Sequence, residues 1–165
     1  MIENEPRLKI LVVLGDGGHT AEIINLVGLL GPEYAYSYVI TNSDRISENK
    51  ITIPGPVDYV MRPRAKDEKI WLAAIKCVYS LWQAARLLNK VRPDVVLGSG
   101  PAVLIPIALL SKLTRVKLIF VETGSRVNNL SLTGRIMWRL ADLFFVQWEQ
   151  LRERYPDAIF AGRLL

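Results

Sequence analysis

The sequence predicts a single α/β domain over residues 1–165: a Rossmann-like parallel sheet with helices on both faces. Three observations predict it. Short apolar, β-branched runs alternate with segments of helical periodicity, which is the order of a parallel sheet with crossover helices. Three of the least ordinary loops, at 15–20, 98–101 and 122–126, fall where strands end. The length, 165 residues with 50% hydrophobic content, suits one domain with a single sheet at its centre.

Residues 8–14 form a continuous apolar run that stops at Gly15 and reads as a buried strand. A helix is expected over 20–30, with Ile23, Ile24, Val27 and Leu30 at helical spacing and Gly31-Pro32 as its stop. Strands follow at 36–41 and 57–61, the second running into the basic turn Arg62-Pro63-Arg64. A long helix covers 70–89. A buried strand at 94–97 leads into Gly98-Ser99-Gly100-Pro101 and a helix at 102–113. A strand at 117–121, a helix at 133–142, a strand at 143–146, a helix at 149–155 and a short strand at 158–161 complete the alternation.

Composition excludes several classes. Apolar content rules out disorder, and no repeat supports a coiled coil or collagen. Cys77 is the only cysteine, so a disulfide framework is impossible and a reducing compartment fits. His19 is the only histidine, so no zinc cluster is expected, and no metal or cofactor is called for. The N-terminal segment has no secretory pattern, and the longest uncharged apolar stretch, 101–110, is too short to span a bilayer. The net charge of +5 favours anionic partners or simply solubility. No nucleic-acid module accompanies it.

In open parallel sheets, ligands bind outside the carboxyl ends of the strands. Gly15, Gly17 and Gly18 precede the first helix, where free backbone amides favour negative charge, and Thr20 stands where a dinucleotide fingerprint has its third glycine. His19 can take a proton from a hydroxyl or donate to a phosphate, or it can merely cap the turn. Ser99 and Gly100 offer a second anion-binding loop. Glu122 can hold or deprotonate a hydroxyl and Arg126 can clamp a phosphate, unless the two form a surface ion pair of little energetic weight.

On the 70–89 helix, Ile70, Ala74, Leu81, Ala85 and Leu88 share a broad apolar face with Trp71, Ile75, Val78 and Trp82. Lys76, Ser80, Gln83, Arg86 and Lys90 lie opposite, with Leu72 and Leu87 intruding. With the preceding Arg62 and Arg64, Trp71, Ile75 and Trp82 suit an anionic membrane surface. An ordinary core stripe or a subunit contact would use the same residues. The chain ends in Arg163-Leu164-Leu165, and this tail is expected to dock against a partner.

The segments GDGGHTAEI at 15–23, RPRAKDE at 62–68, PDVVLGSGPAVLIP at 93–106 and the long C-terminal stretch 122–164 carry a family likeness across nearly the whole chain. The sequence resembles the asparagine-linked glycosylation family 14 proteins, and is similar to bacterial exopolysaccharide and capsule glycosyltransferase accessory subunits. The resemblance implies the N-terminal half of a glycosyltransferase-B fold, acting as the acceptor-binding, membrane-recruiting subunit of a two-subunit UDP-N-acetylglucosamine transferase. It implies a separate subunit that binds the UDP-sugar, no activity alone, and an acceptor sugar on a polyprenyl diphosphate at the cytosolic face of a membrane. It assigns the diphosphate to Gly15, Gly17, Gly18, His19, Ser99 and Gly100, and the family's acid-and-arginine motif to Glu122 and Arg126. Asp16, where relatives often have serine, departs from the pattern. So does the lack of the N-terminal membrane anchor that eukaryotic members carry. A non-catalytic scaffold and a free-standing nucleotide-binding protein remain the rival expectations.

Overall fold

The computed structural model describes residues 7–15, 18–44, 46–61 and 70–164, with 70–75 followed by backbone course only. The calls on Gly17, Arg62, Arg64, Leu165 and the side chains of Trp71 and Ile75 lie outside the described residues.

Seven strands form one parallel sheet: β1 (Lys9–Val13), β2 (Ala35–Thr41), β3 (Val57–Val60), β4 (Val95–Gly98), β5 (Lys117–Val121), β6 (Leu143–Val146) and β7 (Ile159–Phe160). Their spatial order is β3-β2-β1-β4-β5-β6-β7. The chain therefore builds outward from β1 to β3, crosses back, and builds outward again from β4. The reversal lies between β1 and β4, and that gap is where such a sheet opens a crevice at its carboxyl edge.

The helices are α1 (Gly18–Leu30), α2 (Ile70–Val91), α3 (Leu104–Thr114), α4 (Leu132–Leu140) and α5 (Leu151–Arg154), with a 3-10 turn at Glu48–Lys50. Alternation along the strands sorts the core into two layers. Leu11, Val13, Val96, Leu118, Phe120 and Phe144 point to the face where α2, α3 and α4 lie side by side. Ile10, Val12, Leu14, Tyr38, Ile40 and Val121 point to the face covered by α1, through Ile23, Ile24 and Val27. The covering of the second face is thin, and an apolar groove of about 260 Å³ remains beside α1, lined by Leu26, Leu29, Ile119 and Phe145 among others.

Two differences from expectation, in the fourth and second helices, have clear physical causes. The 133–142 helix stops at Leu140, because Ala141 is extended (φ −67°, ψ 142°) and the Asp142 carboxylate is tied outside the helix to the Leu118 amide at 2.8 Å. The face of α2 is also turned. Ser80, Ala84, Leu87 and Leu88 are buried, while Trp82 is 54% and Val78 68% exposed. The small Ser80 and Ala84 sit against Pro106 and Ile107 of α3. Close helix packing selects small residues, and a wheel drawn for apolar bulk overlooks them.

Candidate functional site

The two glycine loops meet at the reversal point. A Cβ on Gly15 would come within 2.7 Å of the Pro101 ring, and one on Gly100 within 2.5 Å of the His19 imidazole. Gly100 is also left-handed at φ 67°, a conformation that favours glycine. His19 at the start of α1 thus lies flat against the loop after β4. A Cβ on Gly18 would meet nothing within 4 Å, so packing within the described residues does not explain that glycine.

Thr20 is not free for a ligand. It is fully buried, its hydroxyl donates to the Gly15 carbonyl, and it shares a 2.9 Å hydrogen bond with Ser47 Oγ. The helix begins at Gly18, two residues earlier than expected, which turns Thr20 inward onto its own loop. Ser47 Oγ also lies 3.2 Å from the Gly15 carbonyl, and its hydroxyl donates to Asp44. Burial pushes the Asp44 carboxyl up. Hydrogen bonds from the Ser47 hydroxyl and the Ile46 and Ser47 amides outweigh this and hold it below its ordinary value. Asp44 and Ser47 therefore brace the first glycine loop.

Glu122 is equally committed. It is fully buried; Oε1 accepts from the Thr123 amide at 3.0 Å, and Oε2 accepts from the Ser131 amide at 2.9 Å and the Ser131 hydroxyl at 3.0 Å. Ser131 caps α4, accepting from the Gly134 amide at 2.9 Å. A Cβ on Gly134 would stand 1.8 Å from Glu122 Oε2, so the carboxylate sits against the first turn of α4, where the helix favours an anion. Burial raises the Glu122 pKa, partly offset by those hydrogen bonds and by the charge of His19. Both oxygens face the chain's own donors. Glu122 forms no ion pair with Arg126 among the described residues. Arg126 is exposed, its amide closing a turn onto the Thr123 carbonyl at 3.0 Å, and its guanidinium has no partner among the described residues.

Three buried polar atoms at this edge lack hydrogen-bond partners among the described residues: His19 Nδ1, Ser99 Oγ and Glu22 Oε2. Leaving such a group unpaired costs about 1–3 kcal/mol each, so their grouping marks a place built for something other than stability. Glu22 was not foreseen. It is 2% exposed, one turn after His19, and its Oε1 accepts from Thr123 Oγ1 at 3.0 Å and the Gly124 amide at 2.9 Å. Its signal was a carboxylate inside the apolar stripe of α1.

The C-terminal tail folds back onto its own chain. Arg163 stacks on the Trp148 ring at 3.6 Å, and Trp148 Nε1 donates to the Gly124 carbonyl at 2.6 Å. Leu164 is partly buried against the α1-side core; its amide donates to Gln147 Oε1 at 2.8 Å and its carbonyl accepts from Asn25. Gly162, at φ 99°, turns the chain back to make these contacts. Arg163 and Leu164 are thus held in place by the chain's own residues, Arg163 remaining exposed.

On the other face, Trp82 and Tyr79 stack at 5.6 Å with Arg86 at 5.8 Å over the indole, an exposed aromatic and cationic surface. Among the described residues, no helix is long and apolar enough to cross a membrane, and no cluster of His, Cys, Asp and Glu could hold a metal.

A family model described as oligosaccharide biosynthesis protein Alg14 like matches residues 10–164. The rat UDP-N-acetylglucosamine transferase subunit ALG14 is 38% identical over 180 residues, covering 96% of this chain and 83% of that protein. The human protein of the same name is 37% identical with the same coverage, and that of Yarrowia lipolytica is 31% identical over 95% of this chain and 81% of its own length. Among solved structures, a putative UDP-N-acetylglucosamine 2-epimerase from Listeria monocytogenes matches with a TM-score of 0.72 at 19% identity, covering 92% of this chain and 42% of that one. Acinetobacter baumannii MurG matches at 0.67 and 17%, covering 86% and 41%. The chain spans less than half of those solved structures, and at such identity they show the fold alone.

Proposed function

The chain belongs to the Alg14 family, and from that premise we propose that it is the acceptor-binding, membrane-recruiting subunit of a two-subunit UDP-N-acetylglucosamine transferase. The observation that carries the reading is the crevice at the β1–β4 reversal: His19 lies there against Gly100, with His19 Nδ1 and Ser99 Oγ buried and unpaired. The crevice is one wall of a site. The other wall, with the UDP-sugar, belongs to a partner subunit, and this chain is inactive alone.

In this mechanism the acceptor is a sugar on a polyprenyl diphosphate. The amides at Gly18 and Gly100, the Ser99 hydroxyl and the Arg126 guanidinium take the diphosphate, with no metal required. His19 accepts the proton of the acceptor hydroxyl as its oxygen bonds to the sugar's anomeric carbon. The bond from that carbon to the donor phosphate breaks, and UDP leaves with the electron pair. Glu122 and Glu22 act as positioning residues, holding the Thr123–Arg126 loop in register with α1 and α4. The exposed Trp82, Tyr79 and Arg86, with Trp71, Ile75, Arg62 and Arg64, face the cytosolic side of an anionic membrane. The apolar groove beside α1 and the tail carrying Arg163 and Leu164 receive the partner.

One observation favours a second reading, a non-catalytic scaffold: the carboxylate placed best by sequence to act as a base, Glu122, is fully engaged inside the chain. The experiment that separates the two is sugar transfer to a lipid-linked acceptor by the reconstituted complex. His19→Ala should lower turnover roughly 10²–10⁴-fold with the complex intact. Undiminished turnover would leave the scaffold reading standing.

A further inference from the structure

Away from the crevice, α4 and α5 enclose a shallow cleft of about 330 Å³ lined by Asn129, Arg135, Trp138, Arg139, Arg154 and Tyr155. Half of these side chains are guanidiniums and none is a carboxylate. No ion pair involves Arg135, Arg139 or Arg154 among the described residues, although Asp58 and Asp142 elsewhere are paired with lysines. Arg135 and Arg139 stand four residues apart on α4, a spacing at which like charges repel. Arg135 also lies in the first turn of α4, where the helix dipole disfavours a cation. Behind them Trp138 and Tyr155 meet edge to face at 5.1 Å. Arg154 donates to Asn129 Oδ1, which leaves the Asn129 amide NH₂ as a further donor. Repelling cations gathered round a concave, donor-rich surface are an arrangement that an anion relieves.

We propose that the cleft between α4 and α5 binds a phosphate-bearing anion through Arg135, Arg139, Arg154 and the Asn129 amide. Guanidiniums match phosphate oxygens two at a time, which is why arginine rather than lysine suits the place. The same chemistry is offered by the headgroup of an anionic phospholipid and by a soluble phosphate ester, and the test separates them. The inference does not depend on the crevice or on the transferase reading.

The probe is the Trp138 indole N–H in the NMR spectrum of the full chain, titrated with inorganic phosphate and with monomeric dihexanoyl phosphatidylglycerol. Flotation with phosphatidylcholine vesicles, with and without phosphatidylglycerol, is measured in parallel. A saturable Trp138 shift is expected, weakened about 10-fold or more by Arg135→Ala with Arg139→Ala. An equal charge change elsewhere, Lys9→Ala with Arg115→Gly, should alter it less than about 2-fold, since distant surface charges are screened. Flotation that falls with the cleft variant alone assigns the site to a lipid headgroup. A lost phosphate shift with unchanged flotation assigns it to a soluble ester. Absence of a saturable Trp138 shift with both probes, or equal weakening by the cleft and control variants, overturns the proposal.

Discussion

Glu22 of α1 and Gly124 of the loop after β5, 102 positions apart in sequence, meet through a 2.9 Å hydrogen bond from the Gly124 amide to Glu22 Oε1. The same oxygen takes the Thr123 hydroxyl, so one buried carboxylate ties the helix that carries His19 to the loop that carries Arg126. Glu22→Ala should strand both donors and cost about 1–3 kcal/mol of stability in urea unfolding. Glu22→Gln keeps one acceptor oxygen and should cost less. Equal losses in the two variants would mean that the link is not made by the carboxylate oxygen.

Glycine substitutions should separate packing from ligand approach. Gly100→Ala meets the His19 ring and a left-handed backbone, so it should destabilise by about 1–3 kcal/mol as well as weaken acceptor binding. Gly18→Ala meets nothing within 4 Å and should leave the unfolding midpoint almost unchanged. If the helix N-terminus holds the acceptor diphosphate, Gly18→Ala should still weaken acceptor binding. Unchanged acceptor affinity in the Gly18→Ala complex would remove that amide from the site.

The pH dependence of stability should have two separate windows. Burial holds the Glu122 pKa above its ordinary 4.5, so the folded chain keeps a proton that the unfolded chain has released. Its contribution is complete below the ordinary value and is lost as pH rises through the folded value. Against the opposing effect of burial, Asp44 and Asp142 are held below their ordinary 3.8 by hydrogen bonds and by nearby lysines, Lys50 for Asp44 and Lys112 and Lys117 for Asp142. Their contribution is present above 3.8 and is lost as pH falls through the folded values. Urea midpoints of Glu122→Gln measured across pH should lack the first slope and keep the second. A first slope that survives the substitution would have to come from another group.

Replacing the exposed pair Trp82 and Tyr79 by serine should shift stability by less than about 1 kcal/mol, since both rings stand largely outside the core. Sedimentation with anionic vesicles should fall, and added salt should release the native protein. Early melting of the double variant would show that the stacked pair supports the fold; unchanged sedimentation would remove it from the membrane surface.

The backbone of this fold was legible because it follows local patterns. The apolar run ending at Gly15 announced β1, and the strand at 143–146 was read to the residue. The meeting of the glycine loops at the carboxyl edge followed from strand order. What could not be read was the choice of polar partners. Ser47 bracing Gly15, Gln147 holding Leu164, and Glu22 reaching Gly124 are contacts between residues 17 or more positions apart. Nothing in the neighbouring sequence records them. Glu122 shows the same limit: its type suits a base, and the hydrogen bond from the Ser131 amide that holds it is visible only in the fold.

The position of β1 in the sheet bears on how the molecule comes to exist at all. This strand, the first in the chain, lies between β2 and β4, and its Lys9 amide bonds to Asp94, 85 residues later. Until β4 emerges, the backbone edge of β1 has no neighbour on that side. Contacts of such high sequence separation slow folding and leave strand edges open to wrong partners. During synthesis, then, the N-terminal half must wait with an unpaired edge, and His19 cannot meet Gly100 before more than half of the chain has been made. The crevice needs both glycine loops, so a nascent chain that stalls before β4 carries the first loop without the second.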